Sequence, residues 1–197
     1  MRKALAGGFL LLAGAVALAQ DVPAPPVSAE FVRLFSSHCL SKFPDALAQA
    51  AVDEKLEPLT AAQVASYLHS DPGKGWLIAA ADGNYVLTEE DPPYHACAVR
   101  RYATAMMDGK PLFAAAKAFV ASSGRSFGTP QSSRRMIGPG IVSNGLLFPV
   151  IGATGQPTGE AFMFFVVAYP ATTKADGTDK PPFFDVRFVR QLYEKAV

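Results

Sequence analysis

The side chains in this sequence that could do chemistry are few and widely spaced: two cysteines, three histidines, one acidic run and two arginine pairs. Glu89-Glu90-Asp91 is the acidic run, and His95 follows closely. A carboxyl group that gives a proton and a second group that takes one are what hydrolysis of an ester, peptide or glycosidic bond requires. Glu89, Glu90 and His95 are therefore the candidate catalytic residues of a hydrolase. The run stands directly ahead of Pro92-Pro93, so it is expected in a turn, where acids are usually only solvated.

Metal and nucleophile chemistry find less support. A zinc site draws on three or four ligands at recognisable spacing, and the chain has neither H-x-x-x-H nor H-E-x-x-H. No metal is expected, and His38 and His95 read as partly buried, hydrogen-bonded groups. Cys97 with His95 or His38 could be drawn as a nucleophile and its base, but two cysteines have a simpler use as a bridge. Ser122-Ser123-Gly124 follows a helical pattern, whereas a nucleophile elbow turns from strand into helix. The glycines of Gly138–Gly159 neither open a helix as G-x-G-x-x-G nor form a phosphate loop, so no cofactor is expected.

Binding chemistry is the better match. Trp76, the only tryptophan, follows Gly73-Lys74-Gly75 and would face Tyr85 across a hairpin, an aromatic platform for a ligand. Arg100-Arg101 and Arg134-Arg135 offer guanidinium groups that pair carboxylate or phosphate in bidentate fashion. Adjacent strand residues point to opposite faces, so at most one of each pair can join a given site. Trp76, Tyr85 and Arg134 are the candidate ligand-binding residues.

The compartment follows from the first residues. Met1-Arg2-Lys3 is positive, Ala4–Ala19 is uncharged with Phe9-Leu10-Leu11-Leu12 at its centre, and Ala17-Leu18-Ala19 supplies small residues at −3 and −1. This is a secretory signal peptide, residues 1–19, cleaved after Ala19. The uncharged run is short for a membrane span, so no stable anchor is expected after cleavage. The remaining chain carries 16 basic against 17 acidic residues, which argues against nucleic acid as a partner. Export to an oxidising space makes Cys39–Cys97 a disulfide. The protein is expected to be periplasmic or secreted.

The positioning elements read as follows. Residues 20–27 form an extended tether without core residues, and 28–197 a single domain. Ser28 caps a helix carrying Phe31, Leu34, Phe35 and Cys39 at helical spacing. Ala46–Lys55 suits a short helix, and Thr60 with Gln63 makes a capping box for the next. Asp82-Gly83-Asn84 turns a hairpin between Trp76–Ala81 and Tyr85–Thr88, and Tyr94–Tyr102 is a strand. Asp108-Gly109-Lys110-Pro111 starts a helix, and Arg125–Ser133 reads as mobile and polar. Met136–Phe148 is β structure broken by Gly138-Pro139-Gly140 and Asn144-Gly145. Ala161–Tyr169 is a central strand covered on both faces, Ala171–Pro181 a polar loop, and the tail a strand followed by a helical turn. The class is α+β: an antiparallel or mixed sheet with helices packed on one face and one disulfide.

The string Gly75-Trp76, Gly83-x-Tyr85 and Pro92-Pro93-x-x-Ala96-Cys97-Ala98-Val99, behind a helix with a lone Cys39, resembles a family of small exported proteins of Gram-negative bacteria without an assigned function. The resemblance implies an envelope location and one disulfide, and no activity. The sequence therefore favours a non-catalytic protein that binds a small ligand or an envelope component. The alternative is an envelope hydrolase working through Glu89, Glu90 and His95.

Overall fold

The computed structural model describes residues 24–69, 71–92 and 95–192. The expected signal peptide, residues 20–23 of the tether and the helical turn of the tail lie outside them. Ser28 accepts a hydrogen bond from Phe31 N and caps α1 (Ala29–Leu34), which runs into a π-helical turn (Phe35–Leu40) with Phe35, His38, Cys39 and Leu40 all buried. A short α2 (Leu47–Asp53) and a two-residue β1 (Glu57–Pro58) follow. Thr60 and Gln63 close the expected capping box on α3 (Ala61–Leu68). The hairpin of β2 (Gly73–Ala80) and β3 (Gly83–Glu90) leads into β4 (Ala96–Tyr102). Pro111 stands in the first turn of α4 (Lys110–Ser122). Then come β5 (Ser126–Phe127), β6 (Gln131–Gly138), β7 (Ile141–Ile151), β8 (Pro157–Tyr169), the small pair β9 (Thr172–Thr173) and β10 (Asp179–Lys180), and β11 (Phe183–Leu192).

Nine strands form one antiparallel sheet in the order β1-β2-β3-β4-β11-β8-β7-β5, with β6 also paired to β7. The decisive connection is non-sequential: β11 inserts between β4 and β8 and pairs with both. Cys39 and Cys97 are bonded, fastening the π-turn to β4.

Strand alternation gives the sheet two different faces. Trp76, Tyr85, Leu87, Cys97, Val99, Phe162, Phe164, Phe184, Val186 and Phe188 project to one side and form a single apolar core with Phe31, Phe35, Cys39, Leu47, Leu112 and Ala116 of the helices. Phe188 stacks on Phe164 and meets Phe162 and Phe43 edge-on. Gly109 brings the start of α4 down on this layer, since a Cβ there would lie 2.9 Å from Val166.

The other face is not bare. Helix α3 lies against it, where Gly73 has no side chain to obstruct: a Cβ at Gly73 would stand 2.6 Å from Leu68 Cδ1 of α3. Tyr67 of α3 sits over the Arg100 guanidinium at 5.6 Å. Helices on one face thus describes α1, α2 and α4 but not α3, because β2 offers α3 a glycine-lined seat on the far side.

Four local expectations differ from the fold. Val27 is buried, and residues 25–27 hydrogen-bond Asp108, so the described end of the tether is fastened to the domain. Arg125–Ser133 contains β5 and the start of β6, and Asn144-Gly145 lies inside β7. Ala171–Pro181 carries the β9–β10 pair. In each case a partner strand distant in sequence supplies hydrogen bonds that polar or glycine-rich composition does not announce.

Candidate functional site

The buried polar side chains decide where chemistry can occur. Apart from His38 and Glu89, those that are buried (Thr88, Glu90, Arg100 and Asp185) lie on the α3 face of β3, β4 and β11. Arg100 and Asp185 are cross-strand partners, each only 2 % exposed. Arg100 Nε lies 3.2 Å from Asp185 Oδ2, and Nη1 donates to Thr88 Oγ1 at 2.5 Å. Arg187, two residues along β11 on the same face, donates from Nε and Nη2 to that same Asp185 oxygen at 2.9 and 2.7 Å. The small side chains of Ala96 and Ala98 leave room between the charged ones.

Two guanidinium groups share one carboxylate oxygen, and Asp185 Oδ1 is buried without a hydrogen-bond partner. Arg100 Nη2 and Arg187 Nη1 make no hydrogen bond to the described residues. These unused groups open on a cavity of about 320 Å³, also lined by Ser66, Tyr67, His69, Tyr102, Tyr169, Lys180 and Phe183. Burial raises the pKa of Tyr67 and Tyr169 and keeps both phenols protonated. Burial pulls Arg100 below its usual value and opposes the charge on Arg187, which Asp185 more than restores; guanidinium pKa values stand so high that both stay charged at neutral pH. Arg100, Arg187 and Lys180 against Asp185 leave the wall positive. A cavity with two free guanidinium donors, phenols and one hungry carboxylate oxygen suits a small molecule with an acidic group beside a hydroxyl or amine.

The expected acid and histidine set is not gathered at one point. Glu89 and Glu90 do not sit in a turn: they end β3, where Glu89 pairs with Lys74 and Cys97, and Glu90 with Gly73 and Ala96. Being adjacent, they face opposite ways. Glu89 is buried on the core side with Oε2 unpartnered, and Glu90 is buried on the α3 side near Arg187. His95 packs edge-on against Phe43, and no hydrogen bond or ion pair joins it to either acid among the described residues. Burial raises the pKa of both acids.

That burial fixes a pH dependence. An unfolded glutamate titrates near 4.5 and folded Glu89 higher, so between those values the folded chain holds the extra proton. The stability this confers is complete below 4.5 and disappears as pH rises through the folded value. Glu89→Gln is expected to raise the melting temperature at neutral pH by a few degrees, with about 1 kcal/mol of burial penalty removed. The gain should vanish at acid pH. An equal shift at both pH values in parallel thermal melts would show that the carboxyl is not buried as described.

The expected binding residues lie far apart. Trp76 and Tyr85 share the core face, and Trp76, 7 % exposed, reaches only the edge of a cleft beside α3. The Tyr85 hydroxyl donates to Asp82 Oδ2 at 2.7 Å and accepts from Arg101 Nη1 at 2.6 Å, with Ser28 Oγ at 3.1 Å. It is committed to tying the α1 cap to the hairpin. Arg134 stands on β6, with four strands between it and β3, roughly 25 Å at ordinary strand spacing.

No protein-family model, curated protein or solved structure matches this chain. One further string, Gly124-Arg125-Ser126-Phe127-Gly128, has the G-x-S-x-G spacing of a hydrolase elbow. An elbow leaves a strand and enters a helix. Ser126 instead follows α4, opens the two-residue β5 at the sheet edge, and makes no hydrogen bond to a histidine among the described residues.

Residue-level reading passed over Arg100, Asp185 and Arg187 as a set. The signal was present in part: Asp185 and Arg187 alternate with Phe184, Val186 and Phe188, so a strand burying the phenylalanines must send both charges to its other face. That Arg100 and α3 await them there depends on β11 pairing with β4.

Proposed function

We propose that this chain is an exported, non-catalytic binding protein, periplasmic or secreted, freed of residues 1–19 by cleavage after Ala19. Its ligand is a small molecule carrying a carboxylate or phosphate together with a hydroxyl or amino donor. The observation that carries this reading is the cavity in which Asp185 Oδ1 is unpartnered while Arg100 and Arg187 each keep a free guanidinium nitrogen. The paired cysteines accord with an oxidising compartment, and no helix among the described residues is long and apolar enough to cross a membrane. A hydrolase acting through Glu89, Glu90 and His95 would need all three around one substrate, and strand alternation sends the two acids apart.

The test is calorimetry and thermal shift with glutamate, malate, glucuronate and inorganic phosphate as probes. At least one should bind and stabilise the protein. Arg187→Ala keeps the buried Arg100–Asp185 pair, so it should fold, yet lose about 10- to 100-fold in affinity as a charge-assisted contact is removed. Arg134→Ala should bind as the parent does. No binding by any probe, or undiminished binding by Arg187→Ala, would refute the cavity as the site. Turnover of an ester or glycan that disappears in Glu90→Gln would establish the hydrolase instead.

A further inference from the structure

Charge is unevenly distributed along this chain. From Gly109 to Gly159 there is no aspartate or glutamate, while Lys110, Lys117, Arg125, Arg134 and Arg135 all fall there. That segment is α4 with β5, β6 and β7, so one end of the molecule is basic although the whole is near neutral. Arg125 is paired with Glu160, and Lys110 with Asp108. Lys117, Arg134 and Arg135 have no ion pair among the described residues.

The same end carries the most exposed apolar residues. Strand β6 is exposed from Gln131 to Ile137 on both faces, and its only partner is β7. Met136 and Ile137, 74 % and 57 % exposed, stand beside the Gly138-Pro139-Gly140 turn that joins the two strands. The result is an arm with two arginines on its shaft, one to each face, and methionine, isoleucine and proline at its tip.

A second copy does not fit the arm. Antiparallel pairing of two β6 edges about their middle would set arginine opposite arginine, a destabilising arrangement. A protein partner of ordinary interface size would need a broad complementary surface, whereas the apolar residues here cap a turn. An anionic bilayer surface fits both features: the tip residues enter the headgroup–acyl boundary and the arginines remain at the phosphates with their stems along the apolar layer.

We propose that the β6–β7 arm docks the protein on anionic phospholipid surfaces, with Met136 and Ile137 as the inserting tip and Arg134 and Arg135 as the headgroup contacts. This site is separate from the cavity between α3 and β11, and neither proposal depends on the other.

The test is co-sedimentation of the full chain with vesicles of phosphatidylcholine alone or mixed with phosphatidylglycerol. Binding is expected only to the mixed vesicles and should fall with added salt. Arg134→Glu with Arg135→Glu should weaken it at least about tenfold, and Met136→Ser with Ile137→Ser several-fold. All four residues are exposed, so thermal melts should match the parent. In Ile137→Trp the new fluorescence should shift to the blue on mixed vesicles, against the constant signal of buried Trp76. Equal binding to both vesicle types, or variants that sediment like the parent because another segment carries them, would overturn the proposal. So would a charge effect without the tip effect or the blue shift, which would mean adsorption without insertion. Concentration-dependent dimers abolished by the arm variants would assign the arm to self-association and overturn it as well.

Discussion

Cys39→Ala with Cys97→Ala is expected to lower the melting temperature by about 10 °C. The bridge joins residues 58 positions apart. In the chain-entropy account a crosslink of that span removes roughly 4 kcal/mol of freedom from the unfolded chain. Its location makes the full effect felt: both cysteines are fully buried, one in the π-turn and one in the middle of the sheet, and the core around them includes Phe35, Val99 and Phe188. Alanine leaves no buried hydroxyl, so the measured loss reports the bond rather than a polar defect. Melting the double variant and the oxidised parent side by side gives the number, and refolding the parent in reductant should give the same one. Equal melting temperatures would mean that the bond does not constrain this fold.

Asp185→Ala is expected to cost about 3–5 kcal/mol, because it leaves Arg100 buried with Thr88 as its remaining partner. Arg187 loses the same carboxylate but is part-exposed and can turn to water. The informative comparison is Arg100→Met with Asp185→Leu. Replacing both members of a buried ion pair by apolar groups of similar size is often neutral or stabilising, so the double variant should recover most of the loss while abolishing ligand binding at the cavity. Denaturant unfolding measures the energies, and the same probes used for Arg187→Ala measure binding. A loss below about 1 kcal/mol for Asp185→Ala would mean that Arg100 is hydrated rather than enclosed. That result would remove the basis of the proposed site, since an open guanidinium needs no ligand to satisfy its neighbours.

The two outcomes together ask why a charged pair sits where apolar residues would serve stability as well. The energetics give it no structural necessity. A cross-strand ion pair with one carboxylate oxygen left over is expensive unless something else uses that oxygen. The proposed ligand supplies the missing donor.

What the sequence by itself determined was whatever depends on residues within a few positions of one another. The Ser28 cap, the Thr60–Gln63 box, the Asp82-Gly83-Asn84 hairpin and the apolar side of α4 are local agreements between side chain and backbone. The cysteine pairing was legible too, because two thiols in an oxidising space leave one bond to make. Only the tertiary structure decided which charges are buried. Glu89 and Glu90 read as a solvated turn, yet β3 runs on through them because Gly73, Lys74, Ala96 and Cys97 continue the ladder on both sides. Arg100 and Asp185 lie far apart in the chain and met only when β11 entered the sheet beside β4. A strand's alternation reveals which residues share a face. It does not reveal which strand lies alongside or what covers that face, and burial, pairing and pKa all follow from those two facts.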